Sequence, residues 1–409
     1  MQRLDAVLER FLGPRLFGVV LWAAVPAVLL LALLRFGLIV HRMAPAYAQR
    51  DAGAFFLAGR SYLEGLNPYG DAFWQLSEDV YGFTMGAFFN PPYTLPLLAP
   101  LGYVGPEMAG LALMILGPVA TAAAIALALW MVRGRGFVLA WQFAAAIALF
   151  LGLLVFQPLV PTVVYGHIKP AVLLGLVVWA WAARAGWWPL QAVALAVVMA
   201  LPQFALPLLV VSALVPRWRL AAAGAVAACG ALYLLAALPH GIFAFAFDWL
   251  SQAGGYSADP VNVPGVLVGA SPLLDIIGLS AGAPVTLAVG LAGGFAIWRA
   301  GTVDPLVVAM GAAAVGIFAA PTHLPSALLL FPALAYVVAS GPLLPRLALG
   351  VALTVLGMTD WFVDLDTLFA SGGEGIFRLR ALGSTAMLVV AFVALMALQP
   401  REQASGAGA

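Results

Sequence analysis

The sequence predicts an all-α polytopic membrane protein of about twelve helical spans, and three observations carry that prediction. Hydrophobic residues make up 64% of the 409 residues and charged residues only 9%, where a soluble domain carries about 25% charged residues. Apolar segments of membrane-spanning length recur from end to end, as a helical membrane protein requires. Basic residues fall between those segments, at Arg3/Arg10/Arg15, Arg133/Arg135, Arg184, Arg217/Arg219, Arg299, Arg346 and Arg401. Such clusters accumulate on the cytoplasmic side. Placing all of them inside requires spans near 16–34, 108–132, 137–160, 168–184, 187–200, 203–216, 219–238, 280–299, 304–320, 326–342, 346–362 and 381–400, with both termini inside. Residues 1–400 then form a single transmembrane domain, and 401–409 a short disordered cytoplasmic tail.

Taken in order, residues 1–14 place Leu4, Val7, Leu8, Phe11 and Leu12 on one helical face with arginines opposite, the pattern of an interfacial helix on the cytoplasmic leaflet. The apolar run Leu16 to Leu34 exceeds the ~7–15-residue core of a cleaved signal peptide, so a retained anchor is expected. The first outer loop, 41–90, then carries the stretch DAGAFFLAGRSYLEGLNPY from Asp51 to Tyr69. Read as a helix, Asp51, Phe55, Ala58, Gly59, Tyr62 and Leu66 share one face, while Arg60 and Glu64 pair elsewhere. The helix should stop at Asn67-Pro68, because the residue before proline disfavours the α region. The expectation is an amphipathic helix on the outer surface, with Asp51 at its head.

The apolar stretch Phe88 to Val104 holds prolines at 91, 92, 96 and 100. Counting it as a span would invert the Arg133/Arg135 pair, so it is expected to be broken or re-entrant, with protein or water covering its backbone. The limbs 187–200 and 203–216, with Pro202 and Pro207 between Arg184 and Arg217, are each shorter than the ~17 residues of a full crossing. Short, proline-interrupted limbs mark binding sites within membranes. One long kinked span is the alternative.

With this topology His41, His167, His240, His323 and the sole lysine, Lys169, all fall on or near the outer face. The long loops lie there too, which is where function is expected. A net charge of +1 gives no hint of nucleic acid. The lone Cys229 lies in an apolar run and reads as a core thiol. No P-loop, GxGxxG, HExxH or cysteine–histidine cluster occurs, so neither a cofactor nor a metal is expected; Asp364 and Asp366 are a weak cation signal.

Each candidate has a structural reading beside the chemical one. Asp51 suits an N-cap, yet position 54 is Ala, where a capping box would want Glu or Gln. A carboxylate there can instead deprotonate an incoming hydroxyl. His323, between Pro321 and Pro325, either caps a span or meets a substrate. His167 and Lys169, in VVYGHIKPAVLL, either sit at the boundary with the lysine snorkelling or meet a lipid phosphate. Arg378 and Arg380 break the positive-inside pattern; an ion pair with Glu374 or an anion site explains them.

The run DAGAFFLAGRSYLEGLNPYG, followed by FFNPPYTLPLLAPLGYV, resembles the N-terminal region of glycosyltransferase family 87. Members typically carry an aspartate after the first span, then A-x-x-L-x-x-G-x-x-P-Y, then an aromatic-x-Pro-Pro run. Here Ala58 to Tyr69 reads AGRSYLEGLNPY, one residue longer, and Phe89-Asn90-Pro91-Pro92 supplies the later element. Pro321-Thr322-His323 looks like the family's Ser-Pro…His region. The resemblance implies a GT-C-like bundle in the plasma membrane that takes a sugar, such as mannose, from a polyprenyl-phosphate donor. A hydroxyl of a lipid or glycan acceptor would receive it on the extracytoplasmic face, with inversion, as a step in cell-envelope assembly. Asp51 matches the general base. The substrate-binding residues expected are His323, Lys169, His167, Tyr62, Tyr69, Asn90, Gln203 and Arg378. Two positions depart from the pattern. Gly166-His167 stands where many members have Gly-Gln, and Leu201-Pro202-Gln203 where many have a lysine before the proline. Lys169 is the candidate substitute for that lysine.

Two other classes fit parts of the pattern: a transporter or flippase of an amphipathic substrate, favoured by the short limbs, and a non-catalytic assembly subunit. Against transport, ionisable residues in mid-span are nearly absent, whereas coupled carriers need them. Cysteines placed near Gln203 are expected to label from the outside alone; alternating labelling from both sides would favour transport.

Overall fold

The computed structural model describes residues 51–132, 158–255, 267–279, 282–301, 304–339, 342–362 and 374–398, with positions 34 and 38. The expected helix at 1–14, the bulk of the spans at 16–34 and 137–160, Asp364, Asp366 and the tail lie outside the described residues. What is described is overwhelmingly helical. Among the described residues, three helices are long and apolar enough to cross a membrane: Pro106–Val132, Pro216–Ala237 and Leu379–Ala397. Several others that coincide with expected spans are shorter, at 10–17 residues.

The helix α1 (Asp51–Glu64) ends at Gly65, which takes a left-handed φ of +69°. It therefore stops short of the Asn67-Pro68 boundary, because glycine reverses the chain there without a Cβ penalty. Nor is α1 an amphipathic surface helix. Ala52, Gly53, Phe55, Phe56, Leu57, Ala58, Gly59 and Ser61 are all buried, leaving Arg60 exposed and paired with Glu64. The reason is its contact with α3 (Leu95–Tyr103), the helical part of the proline-rich segment. A Cβ on Gly59 would lie 2.2 Å from the Leu98 carbonyl oxygen, and one on Gly102 would lie 2.6 Å from the Arg60 nitrogen. Two backbones meet directly, which buries the Gly59 side of α1.

Between them α2 (Asp71–Tyr81) and a single 3₁₀ turn at Pro92–Thr94 complete an aromatic cluster. Phe55 meets Phe88 edge-on with ring centroids 6.3 Å apart, and Tyr69 packs against Phe245 at 5.3 Å. At nine residues, α3 extends about 14 Å and cannot cross.

Next come α4 (Pro106–Val132), α5 (Leu159–Val164) and α6 (Lys169–Ala185). They are followed by α7 (Trp188–Met199), α8 (Pro202–Leu214), α9 (Arg219–Ala237) and α10 (Ile242–Gly255). α7 and α8 form two limbs, and the chain reverses between them. Gly224 of α9 lies beside Trp188 and Ala192, and Cys229 Sγ is 3.7 Å from Met199 Sδ. α9 thus runs alongside α7 in the same direction, and the intervening α8 must return. The break at 200–201 leaves carbonyls of α7 without helical partners. Tyr93 Oη donates to Met199 O at 2.6 Å, and Asn90 Nδ2 to Ala200 O at 3.1 Å. The segment carrying Pro91 and Pro92 thereby caps the break.

The remainder comprises β1 (Leu267–Val268), α11 (Ala270–Ile276), α12 (Ala283–Arg299), α13 (Pro305–Ala319), β2 (Thr322–His323), α14 (Leu334–Val338), α15 (Leu343–Phe362) and α16 (Glu374–Ala397). The span expected at 326–342 is instead mostly a 3₁₀ run, Leu324–Ala333, with Pro332 inside it and only α14 as regular helix. Proline at 332 removes an amide donor and crowds the preceding turn, which disfavours an unbroken α-helix. α13, rich in small apolar residues, is buried almost throughout; small side chains let neighbouring helices approach it closely.

One end of the bundle is closed by Arg184. It donates to Met131 O and pairs with Asp304 at 3.3 Å, while Asp304 caps α13 by accepting from Leu306 N at 3.0 Å. Lys169 begins the helix that Arg184 nearly ends, so the two lie about 22 Å apart at opposite ends.

Gly59→Val is expected to destabilise the protein by about 1–3 kcal/mol or more through overpacking at the α1–α3 crossing. Gly230→Ala, at an exposed helical position with nothing within 4 Å of the added Cβ, is expected to be neutral or slightly stabilising. Thermal unfolding of both variants in detergent checks this.

Candidate active site

The end of the bundle opposite Arg184 gathers Asp51, His167, Lys169 and His323. Three local devices bring them there. The first is the turn YGHIKP. α5 closes with a Schellman-type cap: Gly166 N donates to Val163 O at 3.1 Å and His167 N to Thr162 O at 3.0 Å, with Gly166 at φ +68°. That is the geometry glycine confers at a helix C′ position. Pro170 then stands in the first turn of α6, where a missing N–H costs nothing. His167 is held between two helix ends.

The second device docks this turn on α1. Ala52 N donates to Tyr165 O at 2.9 Å, so a helix-start amide that a capping side chain would take is met by backbone. A Cβ on Gly166 would stand 2.6 Å from the Cβ of Ala52. Asp51, next to Ala52, turns its carboxylate to the histidine: His167 Nδ1 lies 2.8 Å from Asp51 Oδ2. The side chains remain 45% exposed for Asp51 and 23% for His167, so a ligand can reach both.

The third device is a two-residue antiparallel ribbon. Leu267 pairs with His323 and Val268 with Thr322. Thr322 Oγ1 donates to Ile317 O at 2.8 Å, and Gly269 N donates to Thr385 Oγ1 at 3.0 Å. A Cβ on Gly269 would come within 2.5 Å of the Phe318 carbonyl oxygen. The ribbon therefore ties His323 to the end of α13 and to α16.

The electrostatics join these groups into one site. Burial alone would raise the Asp51 pKa, but the His167 hydrogen bond and the charges of His167, Lys169 and His323 outweigh it, leaving the carboxyl below its ordinary value. Burial lowers His167, Lys169 lowers it further, and Asp51 only partly opposes them. His323 falls to about 4 through burial, then through the charges of Lys169 and His167; Asp51 opposes and Arg380 adds to the depression. At neutral pH the site thus holds an ionised carboxylate and two neutral imidazoles beside Lys169.

The other expected residues separate from this group. Tyr69 is buried, and its hydroxyl donates to Asn90 O at 2.6 Å. Asn90 itself caps the α7 break, so both serve the framework. Tyr62 is half-buried against the aromatic cluster. Gln203 lies in the first turn of α8, its carbonyl oxygen beside Gly316. Arg378 belongs to α16, but its side chain lies outside the described residues. Arg380 is the arginine whose charge reaches His323. The sequence pattern singled out the pair and named Arg378 of the two as the expected ligand. Among the described residues no three His, Cys, Asp or Glu side chains converge as metal ligands.

Lys169→Gln is expected to raise the pKa of both His167 and His323, moving the latter up from about 4. ¹⁵N-histidine NMR titration measures this. Because folded His323 titrates below its unfolded value of 6.5, the unfolded chain binds more protons between those values. Stability therefore falls as pH drops from about 6.5 to 4, and His323→Gln is expected to flatten that part of the thermal-stability profile.

The family model for glycosyltransferase family 87 matches residues 88–332. That interval includes His167, Lys169 and His323 and ends before α15; Asp51 lies upstream of it. No curated protein and no solved structure matches. With a match over more than half of its length, the chain belongs to glycosyltransferase family 87.

Proposed function

We propose that the chain transfers a hexose, mannose-like, from a polyprenyl-phosphate donor to a hydroxyl of a lipid or glycan acceptor. The reaction proceeds with inversion at the extracytoplasmic face of the plasma membrane. The observation that carries this reading is the meeting of an ionised Asp51 with Lys169 and two neutral histidines at one end of the bundle. Family membership supplies the reaction type, a sugar transferred from a donor to an acceptor.

The chemistry follows from the charges. The acceptor oxygen forms a bond to the anomeric carbon as the bond from that carbon to the phosphate oxygen breaks. The electron pair leaves on the phosphate. A base centred on Asp51 draws the hydroxyl proton, and a positioned base contributes ~10²–10⁴-fold in rate. Lys169 meets the departing phosphate as a point charge, and preorganised charge where charge develops is a large part of such catalysis. A pKa of about 4 makes His323 neutral near pH 7, so it contributes hydrogen bonds rather than a second positive charge.

Asp51→Asn is expected to lower transfer by at least ~10²-fold with donor binding kept. Purified protein incubated with a panel of polyprenyl-phosphate sugars measures it. Transfer by that variant at the parental rate removes Asp51 from the reaction.

A further inference from the structure

We infer that His167 is the catalytic residue that receives the acceptor's proton, with Asp51 acting through it. The inference rests on the transferase reading and changes which atom takes the proton.

The geometry carries it. His167 Nδ1 is 2.8 Å from Asp51 Oδ2. A carboxylate only accepts, so Nδ1 donates its hydrogen and the neutral ring keeps a lone pair on Nε2. No hydrogen bond to Nε2 occurs among the described residues, and the side chain stays partly open. The pairing is built into the backbone rather than made by two mobile side chains. The His167 N–H is tied to Thr162, the Ala52 N–H is tied to Tyr165, and Gly166 is pressed against Ala52. A carboxylate behind an imidazole fixes its tautomer and stabilises the imidazolium as it forms.

The charges agree. Asp51 alone is a poor match for the task because His167 and the nearby Lys169 charge hold its carboxyl below the usual carboxylate range, while a general base works best near the operating pH. His167 is deprotonated at neutral pH. The charged and titratable groups acting on it are Asp51 from α1 and Lys169 from α6; His323 from the ribbon is coupled to it, and Arg380 acts on His323. In the step, the acceptor O–H proton passes to Nε2 as the new C–O bond forms and the sugar–phosphate bond breaks. The imidazolium, held by Asp51, later returns the proton to water.

His167→Gln tests this, because an amide N–H still donates to Asp51 but no lone pair of comparable basicity remains. The expected result is a kcat at least 100-fold lower with little change in KM, the residual activity having lost the acid limb of the parental pH profile. A His167→Gln enzyme within threefold of parental kcat, with that limb intact, overturns the inference and leaves His167 a positioning residue. A measurement independent of turnover accompanies it. With only four histidines in the chain, ¹⁵N NMR of ring-labelled protein is expected to show His167 neutral, protonated on Nδ1 at pH 7, and to lose that preference in Asp51→Asn. An Nε2–H tautomer or an imidazolium at pH 7 overturns the pair even if His167→Gln fails to fold. Absence of transfer by parental protein from every donor defeats the transferase reading alone, and the tautomer then decides the pair.

Discussion

The site depends on one backbone contact, the hydrogen bond from Ala52 N–H to the Tyr165 carbonyl. It meets an amide of the first turn of α1 from outside the helix and fixes Ala52 against the 165–167 turn, so the neighbouring Asp51 carboxylate faces His167. Gly166 makes the contact possible twice over. It takes the left-handed conformation that ends α5, and it leaves room for Ala52 where a side chain would collide. A larger residue at 166 or 52 would push the histidine and the aspartate apart before it altered either group's chemistry.

The framework around that contact uses the same economy of atoms. Helix ends inside a membrane protein must have their polar groups met by protein or water. The α7 break is met by Asn90 and Tyr93, the Arg184 end by an ion pair and a capping carboxylate, and the His323 ribbon by Thr385. Polar residues that resemble substrate ligands in the sequence, Tyr69 and Asn90 above all, turn out to be spent on such closures.

Much of this was legible in the sequence, and the remainder fails for definable reasons. Helix positions followed from apolar runs and prolines, and the paired limbs from their brevity between two arginines. The burial of α1 was missed because the pattern of one helix does not reveal its partner: Gly59 packs against Gly102, which lies on another segment. The α-helix expected at 326–342 failed because a run of apolar residues does not reveal which backbone it adopts when proline interrupts it. Asp51, His167 and His323 were each singled out by residue type and topology. Their meeting was not readable, because it rests on tertiary contacts between residues more than a hundred positions apart.

The α7 break also bears on when the protein can assemble. Asn90 and its acceptor Ala200 are separated by 110 residues. At ~5–20 residues per second of synthesis, that interval is roughly 5–20 s. During it, the segment holding Pro91 and Pro92 has been made while the carbonyls it will cap have not. The turn that receives Asp51 emerges earlier, and the ribbon bearing His323 later still. The aspartate–histidine pair is thus available to close while much of the bundle is missing, and the remaining member of the site is delivered last.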